Sequence, residues 1–467
     1  MAHVILWNCN PTHNEVPRPT RVLGPYQLAS WLRQQGYVVK VIDFCNSMTL
    51  QQLVDITARH IEPQTLTIGA SSTFWSNSTS YARTLNGNGS QLPTWVTLAK
   101  QVLSESHAHL HWSLGGTRSW MYDAKGWTVF HGHAEDEFVK WLDHLSGITH
   151  IARQTFDIKH SCKTFDHSDH IDSHEVLPVE LGRGCMFRCK FCAYDLIGKT
   201  PGTYLRGYDH VKQEILDHHD RWGTTRFYYV DDTVNESVEK VQALAKIAQS
   251  MPFDLEWIGY VRADLISSHP ETEQLLLESG MKSPFIGIES FEERSSSLVG
   301  EGWSGKHGKD WLLRMRQQWG TAVTWQLGLI IGLPGQTTGQ LQQDHQWLMD
   351  NDMHSWRWAP LWLAPGKYQS EFSLNSNKHG FAFPDANKPW HWVNAAWDWE
   401  SAQQLAIDMN SNEHGRRAAA WMMGDIASLG YAFDHIMSPY ISDLPWKEIN
   451  GLRQIFLDRY VNSHTAV

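Results

Sequence analysis

The segment Gly182-Arg183-Gly184-Cys185-Met186-Phe187-Arg188-Cys189-Lys190-Phe191-Cys192 places three of the chain's six cysteines within eight positions. It follows residues 176–180, whose apolar composition indicates a buried strand. Cysteine thiolates hold iron–sulfur clusters, and spacings of four and three residues allow one short loop to wrap three corners of a cubane. The glycines at the start of the loop permit the tight backbone path that this requires. The fourth iron then has no local cysteine and is open to another ligand.

Three alternative roles of these cysteines stay open on the residues alone. The cysteines could bind zinc together with a histidine, although structural zinc sites usually use paired, closely spaced ligands. The thiols could also be unligated. A conventional cluster could be completed by a remote fourth cysteine, namely Cys9, Cys45 or Cys162. The arginines and the lysine within the loop favour thiolate over thiol and offset cluster charge, which supports the open-iron interpretation.

Composition excludes several functional classes. The 467 residues carry a net charge of −11 and 42% of them are hydrophobic, which predicts roughly two to four well-packed domains. A net negative chain is a poor nucleic-acid-coating protein, because phosphate binding needs a basic face. No apolar run of about 18 residues occurs, so no membrane span is expected. The first residues lack the features of a signal peptide, and few clustered cysteines suit a reducing cytoplasm.

The first 148 residues alternate strands and helices. Strands are predicted at residues 3–8, 37–44, 66–71, 110–114 and 127–131, and helices at 21–35, 50–61, 94–106 and 135–145. This alternation predicts a Rossmann-like, doubly wound parallel sheet. Ligands of such sheets bind at the carboxyl ends of the strands.

A polar connector at residues 149–175 precedes a second alternating region at 176–366. Strands are predicted at residues 176–180, 226–230, 256–261, 284–288, 324–331 and 356–363, with helices such as 211–221, 238–249 and 272–279 between them. Six strand–helix units predict a partial (β/α)6 barrel with its chemistry at the carboxyl mouth. Residues 367–467 are predicted as a small helical C-terminal domain, with helices at 395–409 and 413–429.

The cysteine spacing, with an aromatic residue just before the third cysteine, resembles that of the radical S-adenosylmethionine (SAM) superfamily. The resemblance implies that Cys185, Cys189 and Cys192 bind a [4Fe–4S] cluster and that Phe191 lies near the adenine of SAM. In that family the open iron chelates the amino and carboxylate groups of SAM. An electron from the cluster then cleaves SAM to a 5′-deoxyadenosyl radical, which abstracts a substrate hydrogen.

Segments at later strand ends resemble the SAM-binding positions of the family. The resemblance implies that Asp231 or Asp232 accepts hydrogen bonds from the methionyl amino group and that Arg262 pairs with the carboxylate. It also implies that Glu289 binds the ribose hydroxyls and that Gly332, within Gly-Leu-Ile-Ile-Gly-Leu-Pro-Gly, meets the adenine. A helix N-cap, an ordinary salt bridge and a simple turn are the alternative roles of these segments.

The first domain resembles the cobalamin-binding domain of one subgroup, on residues 24–29, 41–43, 115–117 and 131–135. The Asp-x-His-x-x-Gly signature is absent, and His13 lies in the corresponding loop without that context. Aromatic residues on the loops could cap the lower face of a corrin or fill its space and leave the domain empty. The candidate cobalamin residues are Ser71, Trp75, Gly115, Gly116, Thr117 and Gly132.

The resemblance implies a cobalamin-dependent methyltransferase acting on an unactivated carbon or phosphorus of a small molecule or peptide. It also implies a reductant such as flavodoxin or ferredoxin, and no nucleic-acid or membrane partner is expected. The alternatives are a radical SAM rearrangement, epimerisation or oxidation with a vestigial first domain, and a non-catalytic metal- or partner-binding protein. The chain's 24 tryptophans are expected mostly in cores, and a minority could line an aromatic cavity.

Overall fold

The computed structural model describes residues 2–10, 12–13, 16–75, 91–117, 119–147, 154–193, 198–300, 305–363, 369–385, 388, 390–411 and 416–465. The chain divides into two compact units. The first unit consists of residues 1–178, 209–224 and 446–467, and the second of residues 179–208 and 225–445.

A five-stranded parallel sheet forms the centre of the first unit. Its strands are β1 (Val4–Trp7), β4 (Val39–Ile42), β5 (Thr67–Ser71), β6 (His111–Gly115) and β7 (Thr128–Val129), in the order β4-β1-β5-β6-β7. All residues of β1 and β4 are buried, as expected for a parallel sheet that is covered on both faces. A short hairpin of β2 (Thr12–His13) and β3 (Val16–Pro17) follows β1.

Helices connect these strands. They are α1 (Leu23–Gln34), α2 (Leu50–His60), α3 (Thr94–Ser106) and α4 (Glu135–Ser146). Thr49 and Gln52 form a reciprocal cap at the start of α2, and Gly147 ends α4 in a left-handed conformation. The strand order reverses beside β1, which confirms the predicted doubly wound fold and places a topological switch point between β1 and β5.

Six strands in sequence order form the sheet of the barrel. They are β8 (Leu177–Val179), β9 (Arg226–Tyr229), β10 (Glu256–Arg262), β11 (Met281–Glu289), β12 (Gln326–Ile331) and β13 (Trp356–Pro360). Strands β9 to β13 each pair in parallel with the next. The helices between them are α5 (Tyr208–Trp222), α6 (Val238–Gln249), α7 (Ala263–Ser268), α8 (Glu271–Glu278), α9 (Glu293–Val299), α10 (Gly305–Trp319) and α11 (Thr338–Asp350). This is the predicted partial (β/α)6 barrel.

The C-terminal part is helical, as predicted. Its helices are α12 (Glu371–Leu374), α13 (Trp399–Ser411), α14 (Trp421–Ala427), α15 (Phe433–Met437) and α16 (Trp446–Thr465). The predicted single helix over 413–429 is wrong, because residues 416–420 are not helical and the positive φ of Ala420 separates them from α14. Residues 412–415 lie outside the described part of the chain.

The compact units group the C-terminal helices differently from the predicted domain limits. Helix α16 and helix α5 belong to the first unit, whereas residues 225–445 belong to the second. Tyr460 of α16 accounts for part of this grouping, because its hydroxyl accepts the Asp43 N–H at 2.7 Å. None of the helices in the described residues is long and apolar enough to cross a membrane.

Candidate active site

The cysteine loop, residues 182–192, follows the carboxyl end of β8, and several backbone hydrogen bonds attach it to neighbouring segments. The Arg183 N–H donates to the Tyr204 carbonyl at 2.9 Å, and the Phe372 N–H donates to the Lys190 carbonyl at 3.0 Å. An isolated bridge between Gly182 and Leu205 adds to the first of these attachments. Backbone bonds therefore hold the path of the loop at the mouth of the barrel.

The three cysteines of the loop differ in exposure. Cys185 is buried, with its Sγ 3.7 Å from Thr233 Oγ1, whereas Cys189 and Cys192 are half-buried. The Cys192 N–H donates to the Cys189 carbonyl at 3.0 Å, which forms a tight turn between them. In the residues that the structure describes, no three or more His, Cys, Asp or Glu side chains are arranged to hold a single metal ion. In a cubane, by contrast, each thiolate binds a different iron atom.

Arg262, at the end of β10, contacts the cysteine loop directly. Its Nη1 donates to Cys189 Sγ at 3.0 Å, and its guanidinium lies 4.4 Å from the ring centre of Phe187. Nε and Nη2 bond both carboxylate oxygens of Asp264, at 3.0 and 2.6 Å. A cation beside Cys189 favours the thiolate that a cluster requires. The salt bridge that the sequence offered as an alternative role for Arg262 is thus present, with Asp264 as its partner. It holds the guanidinium against the cysteine loop.

Asp231 is 4% exposed and has protein partners for both carboxylate oxygens. Oδ2 accepts the Leu181 N–H at 2.7 Å, and Oδ1 lies 3.2 Å from the buried Lys240 ammonium. Burial raises the pKa of Asp231 to about 6, and Lys240 acts in the opposite direction. Asp231 therefore ties the segment before the cysteine loop to the end of β9.

Asp232 differs from its neighbour because its side chain is exposed. The predicted alternative, a helix N-cap for this pair, is not found: α6 begins after Ser237, whose side chain accepts the Lys240 N–H. Of the two aspartates, Asp232 is the one whose carboxylate lies at the surface of the site. The assignment of either residue to the amino group of SAM stays a prediction.

Glu289, the last residue of β11, has the strained backbone torsion φ 57°. A Cβ on Gly287 would lie 2.6 Å from Glu289 Oε1, so the carboxyl group folds back over that glycine. Burial raises the pKa of Glu289 to about 7, although the Arg262 guanidinium lowers it. Non-glycine residues with positive φ persist where the surrounding structure enforces them, often at functional sites.

Gly332 has φ +100° and lies under the Trp392 ring, which a Cβ would approach to 2.3 Å. Its N–H donates to Gln336 Oε1 at 2.9 Å, and its carbonyl accepts from Asn394 Nδ2 at 3.0 Å. The backbone N–H of Gly332 is therefore already used and cannot donate to the adenine in the predicted contact. Its carbonyl oxygen, which has a second lone pair, is the group left for such a contact.

Phe191 lies half-buried in the turn before Cys192. The ring that touches a cationic partner is instead Phe187, beneath Arg262. Neither this contact nor the role of Lys240 follows from sequence spacing, because both depend on which strand ends become neighbours. The alternation of apolar and polar residues along each strand, which predicts the side chains that face the same side, is the sequence signal that could have indicated these contacts.

The predicted cobalamin residues lie at strand ends of the first unit. Ser71 and Gly115, the last residues of β5 and β6, are register partners. Gly116 has φ +95°, and the Thr117 N–H donates to Thr73 Oγ1 at 3.3 Å. Gly132 lies beyond β7, also with positive φ. The Trp75 ring packs edge-on against Trp95 and Tyr122, with centroid distances of 6.3 and 5.1 Å.

Residues 179–348 match the model of the Radical SAM superfamily. The match spans the cysteine loop, β9 to β12 and the Arg262 and Glu289 strand ends described above. Residues 179–348 thus form a radical SAM domain. The search of curated proteins found no match to this sequence.

Two solved structures are similar over the whole chain. TsrM from Kitasatospora setae is a radical S-adenosylmethionine methyltransferase with cobalamin and a [4Fe–4S] cluster bound. It has a TM-score of 0.62 and 12% identity, over 99% of this chain and 100% of that chain. OxsB is a cobalamin-dependent S-adenosylmethionine radical enzyme with aqua-cobalamin and S-adenosylmethionine bound. It has a TM-score of 0.59 and 13% identity, over 100% of this chain and 72% of that chain. These likenesses show a shared fold.

Proposed function

We propose that the chain is a cobalamin-dependent radical SAM methyltransferase that acts on an unactivated carbon or phosphorus centre of a small molecule or peptide. The radical SAM barrel supports the radical part of this proposal. The first unit, which has a doubly wound sheet of the kind that binds ligands at its carboxyl edge, supports the cobalamin part. The observation that carries the proposal is the close backbone packing at the ends of β5 and β6.

At this edge the residues that follow β5 pack closely against the residues that end and follow β6. A Cβ on Gly116 would lie 2.8 Å from Thr73 Oγ1 and 3.0 Å from the Ser72 nitrogen. The Ser72 N–H and hydroxyl both donate to the Gly115 carbonyl, at 3.0 and 2.7 Å. Small residues in such a turn leave a low surface that a broad, flat ligand can approach closely. A corrin is a ligand of this shape.

In the barrel, the chain's own residues would hold the cluster and SAM. Cys185, Cys189 and Cys192 would bind three irons, with Arg262 favouring the Cys189 thiolate through its 3.0 Å contact. Asp232 would accept from the methionyl amino group, and Glu289 would bind the ribose hydroxyls. When bound, the cluster and SAM supply radical chemistry and cobalamin carries the methyl group, while the protein positions them and excludes water.

A second candidate is a radical SAM rearrangement, epimerisation or oxidation in which the first unit is vestigial. One observation favours it: the Trp75 ring is held between Trp95 and Tyr122, the arrangement expected if aromatic side chains fill the site. The two candidates differ in their SAM products. Methyl transfer leaves S-adenosylhomocysteine beside 5′-deoxyadenosine, whereas the second candidate gives 5′-deoxyadenosine without it.

We further propose that flavodoxin or ferredoxin supplies the electron and that the enzyme works in the cytoplasm without nucleic-acid or membrane partners. The free cysteines suit a reducing compartment, and the net charge of −11 disfavours binding to phosphate backbones.

The test measures cobalamin bound by anaerobically reconstituted protein and compares Gly116→Ala with Gly36→Ala. Both glycines have φ of at least +90°, so both substitutions strain the backbone similarly, but a Cβ on Gly36 meets nothing within 4 Å. We expect about one hydroxocobalamin per chain in the wild type and in Gly36→Ala, and markedly less in Gly116→Ala. With dithionite as reductant, the wild type should form both S-adenosylhomocysteine and 5′-deoxyadenosine. A wild-type protein that binds no cobalamin would refute the methyltransferase.

A further inference from the structure

Four aromatic side chains of the second unit keep accessible surface on the inner face of the barrel. Strand residues that face the surrounding helices are fully buried, such as Phe227 and Tyr229 on β9. Because side chains alternate along a strand, the residues between these face inward. The half-buried inward rings are Tyr228, Tyr260 and Phe285, joined by Trp421 at the start of α14. We call these four residues the aromatic platform.

Three of the four rings of the platform, those of Tyr260, Phe285 and Trp421, are in mutual contact. The Phe285 and Trp421 rings are parallel within 2°, with centroids 5.8 Å apart, and Tyr260 is tilted against both at 5.3 and 5.9 Å. The Tyr260 hydroxyl lies close to the side chains of Tyr228 and Trp421.

Trp421 reaches this position through a strained backbone. Ala420 has φ 49° and ψ −123°, and its N–H donates to Ser283 Oγ at 2.5 Å. Ser283 lies two residues before Phe285 on β11, on the same face of the strand. Strained non-glycine residues persist where the surrounding structure holds them, and here the anchor places the indole beside Phe285.

The platform lies next to the SAM-binding positions. Tyr260 and Arg262 share one face of β10, two residues apart, which is about 7 Å along a strand. Phe285 shares a face of β11 with Glu289, and its ring lies over Gly328, where a Cβ would approach it to 2.6 Å. A molecule resting on the platform would therefore face the residues that border the cofactor.

The exposure of these rings distinguishes them from core aromatics. Seven tryptophans of the chain are buried almost completely, each less than 2% exposed, namely Trp7, Trp257, Trp319, Trp325, Trp356, Trp358 and Trp392. If Trp421 only filled the core, the strained backbone at Ala420 would not be needed, because that strain brings the Trp421 ring to an accessible surface. Aromatic side chains line ligand pockets, and their faces and edges favour other rings.

We propose that the aromatic platform binds the substrate, that the substrate carries a flat aromatic or heteroaromatic ring, and that Trp421 determines this specificity. This proposal rests on one part of the proposed function, namely that the reaction takes place in the barrel. It is independent of cobalamin and of methyl transfer.

The test uses phenylacetate and cyclohexylacetate, which have the same carbon number and charge and differ in aromaticity. Their affinities for the anaerobically reconstituted, SAM-loaded full chain are measured by equilibrium dialysis. We expect phenylacetate to bind the wild type at least about 3-fold more tightly than cyclohexylacetate, the range that a ring–ring contact supplies. Trp421→Ala should remove this preference. Trp347→Ala, a half-buried tryptophan on α11, should keep it.

Phe285→Leu provides a second variant should Trp421→Ala lose its cluster, as judged by visible absorbance, and it should also lose the preference. Equal affinity of the two probes for the wild type, failure of both to bind, or an unchanged preference in Trp421→Ala or Phe285→Leu would overturn the proposal. Selective phenylacetate binding by a protein that forms no S-adenosylhomocysteine would uphold the platform and refute the methyltransferase. Equal binding of the two probes by a protein that forms S-adenosylhomocysteine would refute the platform and uphold the methyltransferase.

Discussion

Replacing Lys240 with Met removes the buried cation that supports the segment before the cysteine loop. Lys240 is 0% exposed, and its Nζ lies 3.2 Å from Asp231 Oδ1 and 3.3 Å from Glu236 Oε1. Removing one partner of a buried ion pair costs about 3–5 kcal/mol, because the other partner stays buried without compensation. We expect the Lys240→Met variant to lose about this much free energy of unfolding at about pH 8.

The size of this loss depends on pH. Burial raises the pKa of Asp231 to about 6, and Lys240 opposes that rise, so the pKa moves higher in the variant. A carboxyl group with a higher pKa in the folded state takes up a proton on folding. Its contribution to stability therefore increases as the pH falls from the folded pKa towards the ordinary value of 3.8. In Lys240→Met this gain begins at a higher pH. Each further unit in the pKa of Asp231 restores about 1.4 kcal/mol by about pH 5.

Urea unfolding followed by circular dichroism at about pH 8 and about pH 5 measures both effects. The matched control is Lys246→Met, on the exposed side of the same helix, which should change the free energy of unfolding by no more than about 0.5 kcal/mol. The reasoning fails if Lys240→Met unfolds like the control. It also fails if the deficit of Lys240→Met is as large at pH 5 as at pH 8.

Two further variants test the cysteine loop and the strained residue before α14. Cys189→Ala should abolish cluster assembly and 5′-deoxyadenosine formation while Cys162→Ala retains both, as measured by iron content and product analysis; retained iron and turnover in Cys189→Ala would contradict the ligand assignment. Ala420→Gly should raise the melting temperature by about 2–4 °C, because φ 49° and ψ −123° are close to a turn position that glycine favours and strain of this kind costs about 1–3 kcal/mol. Differential scanning calorimetry checks this, and a lower melting temperature would show that Ala420 is unstrained.

The strand–helix alternation was sufficient to predict both sheets. Helices α3 (Thr94–Ser106) and α6 (Val238–Gln249) occupy the predicted residues, because each has a clear apolar period and starts and ends at polar or proline residues. The hairpin of β2 and β3 was not predicted, since two-residue strands carry no period. The break before α14 was also missed, because an alanine with positive φ has no local sequence signal.

The sequence predicted which candidate residues lie at strand ends but did not predict their contacts. The order of strand ends after the cysteine loop located Arg262 and Glu289. The sequence could not separate Asp231 from Asp232, because that difference depends on the approach of Lys240 from α6 and of Leu181 from the segment after β8. It could not place Trp421 either, since the helix that carries it comes more than a hundred residues after Phe285.

Gly287 and Gly328 make room on the inner face of the barrel for the side chains of Glu289 and Phe285. Gly287 and Gly328 are register partners on β11 and β12, and Arg262 pairs with Gly287 in the same layer. Glycine weakens a strand, so its presence here needs a reason beyond the sheet itself. The Glu289 carboxyl folds over the first glycine and the Phe285 ring over the second, each within 2.6 Å of the position that a Cβ would take. The Glu289 carboxyl and the Phe285 ring thus occupy the space that the two glycines leave beside Arg262, and a larger residue at either glycine would displace one of them.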